Sequence, residues 1–340
     1  MAKTIRSIAA RYLKQYEREL GQHEKAARLA EDLVQELLAD VPIQIHAITS
    51  RCKKLASLRL KLRAKKYRQP GRQLTDKLGV RVITYFENDI APVVELLQRE
   101  LKINRPKSED KRTKLSLREF GYLSVHLIAR PKGRWSRLSK YRPLRGTWFE
   151  IQVRSILEHA WAEIEHEVVY KSGIIFPNET KRRFARLAGA LEILESEFFA
   201  LRTERWKLID AYVAAFEEDT KISQDVLDSA KLIALLEVER PHRAGWRSAS
   251  GTETPFPPGI EAVCAAALRS AGIKSSATLQ RVLRSKALKA AEKKFTSLSL
   301  QVPTHLATVL IAVATRSPAI FRDYFPDMAI NSTIAPLLHK

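Results

Sequence analysis

Phe149-Glu150-Ile151-Gln152-Val153-Arg154 places Phe, Ile and Val at one set of alternate positions and Glu, Gln and Arg at the other. A period of two is the pattern of a strand with one apolar and one polar face. Tyr122-Leu123-Ser124-Val125-His126-Leu127 alternates in the same sense, with Tyr122, Ser124 and His126 opposite Leu123, Val125 and Leu127. Working outward, segments 80–86, 122–129 and 147–153 are dense in Val, Ile and aromatic residues and are expected as strands, with a further short strand over 45–53. Segment 90–101 reads as a helix and 55–66 as a strongly basic helix. The expected class is therefore α/β (α+β), a mixed sheet flanked by helices.

Upstream, Ile8, Tyr12, Tyr16, Leu20, Leu29, Leu33 and Leu37 recur at helical spacing over 5–38, interrupted across Gly21, which predicts one or two amphipathic helices. Downstream of Arg154 the pattern is helical. Phe184, Leu187, Leu191, Leu194, Phe198, Leu201 and Ile209 predict a long helix whose apolar stripe packs against the sheet, with self-association into a homo-oligomer as the alternative. Residues 240–258, rich in Pro, Gly and Ser, read as a linker. The expected organisation is an N-terminal helical segment (1–40), a core (41–175), a long helical region (176–239), the linker (240–258) and a C-terminal helical module (259–340). That module carries no recognisable motif; its place after a linker suits a regulatory role or the sensing of a partner, such as an antitoxin, and an extra folding unit without such a role is the alternative.

The chain has 340 residues, 59 Lys+Arg against 38 Asp+Glu, and a formal net charge of +21. Almost all of the excess lies in residues 41–154, which hold 28 basic residues against 9 acidic ones. So concentrated a block implies a polyanionic partner, either nucleotide phosphates or a nucleic acid. Cys52 and Cys264 cannot build a disulfide framework or a Cys-based zinc site, and no signal-peptide pattern opens the chain, so a cytoplasmic location is expected. The longest uncharged stretch, 295–315, contains Gln301, Pro303 and His305 and is too polar for a bilayer span, so no membrane partner is expected.

Walker, dinucleotide and nucleophile-elbow signatures are all missing, so phosphate binding has to rest on side chains. No acid interrupts the chain between Asp40 and Asp76, a stretch that contains Arg51, Lys53, Ser57 and Lys61. If Ser57 begins the basic helix, its hydroxyl caps the first turn with Lys61 one turn along. Arg51 and Lys53 share a face of the preceding strand, and together these groups can surround a triphosphate. Asp76 lies in a turn feeding the strand that contains Arg81, and Glu150 lies on the polar face with Gln152 and Arg154. His159, Glu163 and His166 fall on one helix face, but the His-Glu-x-x-His metal spacing is not met.

Five motifs, in order, resemble the synthetase domain of RelA/SpoT proteins over roughly residues 41–172. They are Arg51-x-Lys53-x-x-x-Ser57-x-x-x-Lys61, Thr75-Asp76-x-x-Gly79-x-Arg81-Val82-Ile83, Gly121-Tyr122-x-Ser124-x-His126, Glu150-x-Gln152-Val153-Arg154, and Trp161 with Glu165-His166 and Lys171. The resemblance implies a nucleotidyltransferase-like core and a Mg²⁺-dependent pyrophosphokinase that moves the β,γ-diphosphate of ATP to the ribose 3′-hydroxyl of GDP or GTP, giving (p)ppGpp. By the same resemblance Asp76 binds Mg²⁺, and Glu150 helps hold the metal or activates the hydroxyl. Arg51, Lys53 and Lys61 grip ATP, and Tyr122 stacks on the acceptor base. Ser57 and Arg81 fall on the ATP side, Ser124, His126, Gln152 and Arg154 on the acceptor side, and Trp161 and His166 are packing residues.

No histidine is followed by Asp, the pair that heads the family's hydrolase domain, so the resemblance is to the small, single-function synthetases. The acceptor motif departs from the usual Pro-Lys-x-Asn, reading Leu117-Arg118-Glu119-Phe120 before Gly121-Tyr122. This Glu-Phe-Gly-Tyr form resembles toxic small synthetases, some of which pyrophosphorylate the 3′ end of tRNA. The connection from Arg130 to Arg145 carries seven basic residues interleaved with Trp135 and Tyr141, which suits a single-stranded nucleic acid as well as a nucleotide. tRNA is therefore the second expected acceptor, and an inactive RNA-binding protein a third reading.

Overall fold

A computed structural model describes residues 2–39, 43–65, 67–112, 124–170, 176–218, 226–239, 260–296 and 304–326. Tyr122, the altered acceptor motif, Lys171 and the 240–258 linker lie outside the described residues. The chain gathers into two compact units, Met1–Phe199 and Ala200–Lys340.

Within the first unit, helices α1 (Ala2–Arg18) and α2 (Leu20–Leu38) precede strand β1 (Ile45–Cys52) and helix α3 (Leu55–Lys65). A four-residue helix α4 (Pro70–Gln73) leads into β2 (Leu78–Thr84), α5 (Ile90–Glu100), β3 (Leu101–Ile103) and β4 (Glu109–Asp110). Then come β5 (Val125–Pro131), α6 (Gly133–Arg137), β6 (Phe149–Ser155) and α7 (Ile156–Glu165). Helix α8 (Asn178–Glu217) starts in this unit and ends in the second. The sheet is mixed, in the order β1-β2-β6-β5-β3 with β4 also on β5. Among the described residues only the β2–β6 pair is parallel.

The alternation in the sequence sorts the sheet's two faces. Val80, Val82, Val125, Leu127, Phe149, Ile151 and Val153 join Leu33, Val34 and Leu37 of α2 and Val93 and Leu97 of α5 in one buried cluster. Full burial of each such side chain is worth about 1.5–3 kcal/mol, which makes this face the cohesive one. Polar residues of β2, β5 and β6 occupy the other face. There a smaller cluster of Tyr16, Leu58, Leu62 and Leu74 fastens α1 and α3, with Leu58 and Leu62 one helical turn apart.

Four expectations need correction. First, Ser57 does not cap α3: the helix begins two residues earlier, at Leu55, and Ser57 sits exposed in its first turn. Second, Trp135 and Tyr141 are not an exposed stacking platform. Both are buried in the sheet's core, and the Trp135 indole N–H donates to Glu100 Oε2 at 3.1 Å. The short turns of 133–144 put aromatics inward and cations outward, so the connection is amphipathic. Third, Leu187, Leu194, Phe198 and Leu201 of α8 are exposed and do not pack against the sheet. The covered side of the helix carries Ala188 and Glu195, one residue along and so about 100° around. His166, expected as a packing residue, is exposed as well, while Trp161 is buried edge-on to Phe184.

In the second unit, α9 (Ser229–Glu239), α10 (Ile260–Ser270), α11 (Ser276–Arg284), α12 (Lys286–Thr296), α13 (Thr304–Arg316) and α14 (Pro318–Tyr324) share their own core with the end of α8. Leu232, Leu235, Leu268, Leu310 and Phe321 are fully enclosed in it. Gly272, at φ +84°, ends α10 with the Ile273 N–H bonded to the Leu268 carbonyl and the Gly272 N–H to that of Arg269, a left-handed cap that favours glycine. Among the described residues no helix is long and apolar enough to cross a membrane.

Candidate active site

Strand register brings the polar residues into rows. Arg51, Gly79, Glu150 and Ile128 stand side by side across β1, β2, β6 and β5, and Thr49, Arg81, Gln152 and His126 form the next row. Neighbours in a row share a face, so the basic strand β1 and the acidic residue of β6 are set on the same surface by pairing alone. Gly79 lies between them. A Cβ there would sit 3.5 Å from Arg51 Cγ and 3.6 Å from its Nε, so the Arg51 side chain runs across the glycine toward Glu150.

Two carboxylates anchor the site. The Asp76 Oδ2 accepts from Lys53 Nζ at 2.7 Å and from Lys61 Nζ at 2.5 Å. Lys53 is placed by the end of β1, where its N–H bonds the Lys77 carbonyl. Lys61 is placed by α3, whose Leu58 and Leu62 fix the helix's rotation. Burial pushes the Asp76 carboxyl toward the neutral form, but the hydrogen bonds and charges of Lys53 and Lys61 outweigh it and hold the pKa below the ordinary value. Its other oxygen, Oδ1, is buried with no hydrogen-bond partner among the described residues.

Glu150 is the second carboxylate. Its Oε1 lies 3.0 Å from His126 Nδ1, and its Oε2 accepts from Gln152 Nε2 at 2.8 Å. Burial again raises this carboxyl, and the nearby Asp76 charge raises it further. The His126 contact, with help from Gln152, prevails and leaves it below the ordinary value. Two ionised carboxylates beside Arg51, Lys53 and Lys61 form the kind of donor and cation set that phosphoryl chemistry uses.

Arg81 and Arg154 converge on a third acid. Glu163 Oε1 lies 2.9 Å from Arg81 NH2, 3.7 Å from Arg154 NH2 and 4.0 Å from His159 Nδ1. Burial and the Arg154 charge lower the His159 pKa, so this imidazole favours its neutral form. Glu163, considered at first only for a metal motif, therefore serves as an anchor for two arginines. No cluster of three or more metal-ligating side chains exists among the described residues. Ser124 is fully buried just before β5, and Ser57 is exposed on α3, one helical turn before Lys61.

Sequence reasoning missed Tyr16. Its hydroxyl donates to the Lys53 carbonyl at 2.9 Å, tying α1 to the strand end that presents Lys53. The residue is almost fully buried, and that burial, with the Lys53 contact opposing it, pushes its pKa well above the ordinary value. Its place in the helical apolar pattern was visible, but the hydroxyl's target lies 37 residues away.

Residues 50–174 match the family described as "Region found in RelA / SpoT proteins". GTP pyrophosphokinase YjbM of Bacillus subtilis is 28% identical over 184 residues, which cover 53% of this chain and 81% of that protein. GTP pyrophosphokinase YwaC of the same organism is 29% identical over 132 residues, covering 38% of this chain and 58% of that one. Among solved structures, small alarmone synthetase 1 from Bacillus subtilis aligns with a TM-score of 0.45 at 26% identity, covering 56% of this chain and 97% of that one.

Proposed function

Because the chain carries a RelA/SpoT synthetase domain, we propose that it is an ATP-dependent pyrophosphokinase that transfers the β,γ-diphosphate of ATP to the ribose 3′-hydroxyl of GDP or GTP. The observation that carries this reading is the pairing of Asp76, held by Lys53 and Lys61, with Glu150, held by His126 and Gln152, on one face of the family's domain. Two relatives that are named GTP pyrophosphokinases support it.

In the proposed reaction the 3′-oxygen attacks the β-phosphorus of ATP, the bond from that phosphorus to the α,β-bridging oxygen breaks, and AMP leaves. Lys53 and Lys61 carry two positive charges against the single charge of Asp76, so the node retains a surplus for phosphate, and Arg51 adds a planar donor set beside it. The residues fit Mg²⁺: Asp76 presents a buried oxygen free of hydrogen bonds, Glu150 is ionised nearby, and this ion is commonly held by one or two carboxylates plus substrate phosphates. Bound there, it would neutralise charge on the polyphosphate. Glu150's depressed pKa suits an orienting and ligating group better than a strong base. Arg81 on the ATP side and Arg154 on the acceptor side, both within reach of Glu163, would supply positive charge to the two substrates, and Tyr122 would stack on the base.

A second reading, tRNA as acceptor, draws on the exposed cations of the connection before β6: Lys132, Arg134, Arg137, Arg142 and Arg145. A polyanion can lie along such a surface, though without the aromatic platform the sequence promised. Purified protein with Mg²⁺, γ-labelled ATP and GDP, GTP or bulk tRNA tests both readings. Label on a guanine nucleotide supports the first, label on the CCA end supports the second, and transfer to none of them refutes the pyrophosphokinase reading.

A further inference from the structure

Residues 259–340 hold 11 basic residues against 4 acidic ones, an excess that the synthetase reading does not use. It is unevenly spread. No acid lies between Glu261 and Glu292, a stretch that contains Arg269, Lys274, Arg281, Arg284, Lys286 and Lys289, with Lys293 just beyond it. Both bounding acids are engaged within the second unit: Glu261, 7% exposed, meets Arg205 at 2.8 Å, and Glu292 Oε1 accepts from the Thr308 hydroxyl at 2.9 Å.

Packing turns the remaining cations outward. Leu279 and Leu283 of α11 and Leu288 of α12 are buried in the unit's core. At about 100° per residue, Lys286, Lys289 and Lys293 fall within about 60° of one another on the side of α12 away from Leu288. All three are exposed, as are Ala287 and Ala290 between them and Lys274 and Arg281 before them. Arg269 and Arg284 serve the fold instead: Arg269 NH1 donates to the Leu227 carbonyl at 2.6 Å, and Arg284 Nε to Glu239 Oε1 of α9 at 2.7 Å. The ammonium groups of Lys286, Lys289 and Lys293 make no hydrogen bond or ion pair among the described residues. Like charges three and four residues apart on a helix repel, so this row costs the fold stability that a bound polyanion would restore.

The chemistry of the face selects among polyanions. The large apolar side chains exposed on the described part of the module are Val263 and Tyr324, neither of them on α11 or α12, so the face has nothing to insert into a lipid surface. Among the described residues, none of those exposed on α11 or α12 is aromatic, which removes the platform on which a single strand stacks its bases. Gln280, the one amide side chain of the two helices, is 5% exposed and donates to Glu239, so it is not placed to read base edges. What remains is a set of cations for a phosphate backbone. We propose that the α11–α12 face binds double-helical RNA through its phosphates. The lysine row of α12, with Arg281 on the adjoining helix, suits phosphates lining the narrow groove of an A-form helix, which proteins recognise by shape and backbone.

Fluorescence anisotropy on the full chain with a labelled RNA duplex of about 16 base pairs tests the proposal. Saturable binding is expected at about 100 mM KCl, falling steeply as salt rises. The triple variant Lys286→Gln, Lys289→Gln, Lys293→Gln should weaken it by at least about tenfold and lower the slope of log affinity against log salt by about 2–3, without lowering the melting temperature. The double variant Lys274→Gln, Arg281→Gln provides a second reduction, of about threefold or more, should the triple variant fold poorly. Both variants should transfer pyrophosphate to a free guanine nucleotide as the parent does, so this outcome is separate from that of the proposed reaction. A DNA duplex of the same sequence and a single-stranded RNA should each bind at least about threefold more weakly. Absence of RNA binding, RNA binding that neither variant weakens, equal affinity for the DNA duplex or the single strand, or capture by phosphatidylserine vesicles in preference to RNA would overturn the proposal.

Discussion

Asp76→Asn probes the centre of the site most informatively, because the substitution preserves shape and removes charge. Asp76 Oδ2 receives two ammonium groups, at 2.7 Å from Lys53 and 2.5 Å from Lys61. Each charge-assisted hydrogen bond contributes about 1.5–3 kcal/mol. The Lys61 side chain is 33% exposed, so solvent screens its share more than that of Lys53, at 16%. Removing the charge also relieves the burial cost that opposes ionisation. The net loss should be about 1–3 kcal/mol, or roughly 3–10 °C in Tm for a unit of this size. Product formation should fall further, by about a thousandfold or more, because the substitution also removes the proposed Mg²⁺ ligand and leaves two ammonium groups uncompensated. Differential scanning calorimetry beside a pyrophosphate-transfer assay measures the two effects. The depressed pKa gives the Tm difference a sign in pH. It is fully present above the ordinary carboxylate range near about 4 and disappears as pH falls through the lower folded-state value. A variant with activity within about tenfold of the parent and an unchanged Tm would refute the reasoning.

Tyr16→Phe removes only the hydroxyl that holds the Lys53 carbonyl and should cost about 1 kcal/mol of stability, with KM for ATP rising more than kcat falls; an unchanged KM would detach α1 from the site. Glu163→Gln removes the charge that anchors Arg81 and Arg154 and should raise KM for both ATP and the acceptor, which steady-state kinetics with each substrate varied would check; an unchanged KM for both would contradict the role. Glu158→Gln keeps the capping box, because Gln can still accept from the Ser155 N–H. The parent's Glu158 is raised to about 8, so its contribution is fully present below about 4.5 and is lost as pH rises through 8. Thermal melts should therefore show parent stability declining between about pH 5 and 8 and levelling off above it, with a flatter profile in the variant; parallel profiles would contradict the assignment.

How far the sequence carried the fold depended on how local each signal was. The alternation in β6 identified a strand and sorted its faces, because Phe149, Ile151 and Val153 are all fully buried. Strands β3 and β4, three and two residues long, have too few positions for a period of two and were invisible. The leucines of α8 were legible as a stripe, but which side of a 40-residue helix meets the domain is set by tertiary packing. Only a single residue step separates Leu194 from the buried Glu195. Trp135 and Tyr141 misled because composition does not say which way an aromatic points. At the site, the residue types were readable, and the strand register supplied what they lacked: Glu150, Arg51 and His126 come from strands separated in sequence and meet only through pairing.

The most direct test of the central claim follows the atoms. ATP labelled separately at the α-phosphorus and at the β- and γ-phosphorus would be incubated with the protein, Mg²⁺ and GDP or GTP, and the products identified by mass spectrometry. The account predicts AMP retaining the α-label in equal amount to a guanine nucleotide that carries both the β- and γ-labels on its 3′-oxygen, with Glu150→Gln abolishing both. Formation of ADP with a single transferred phosphate, or guanine nucleotides left unlabelled while ATP is consumed, would contradict it.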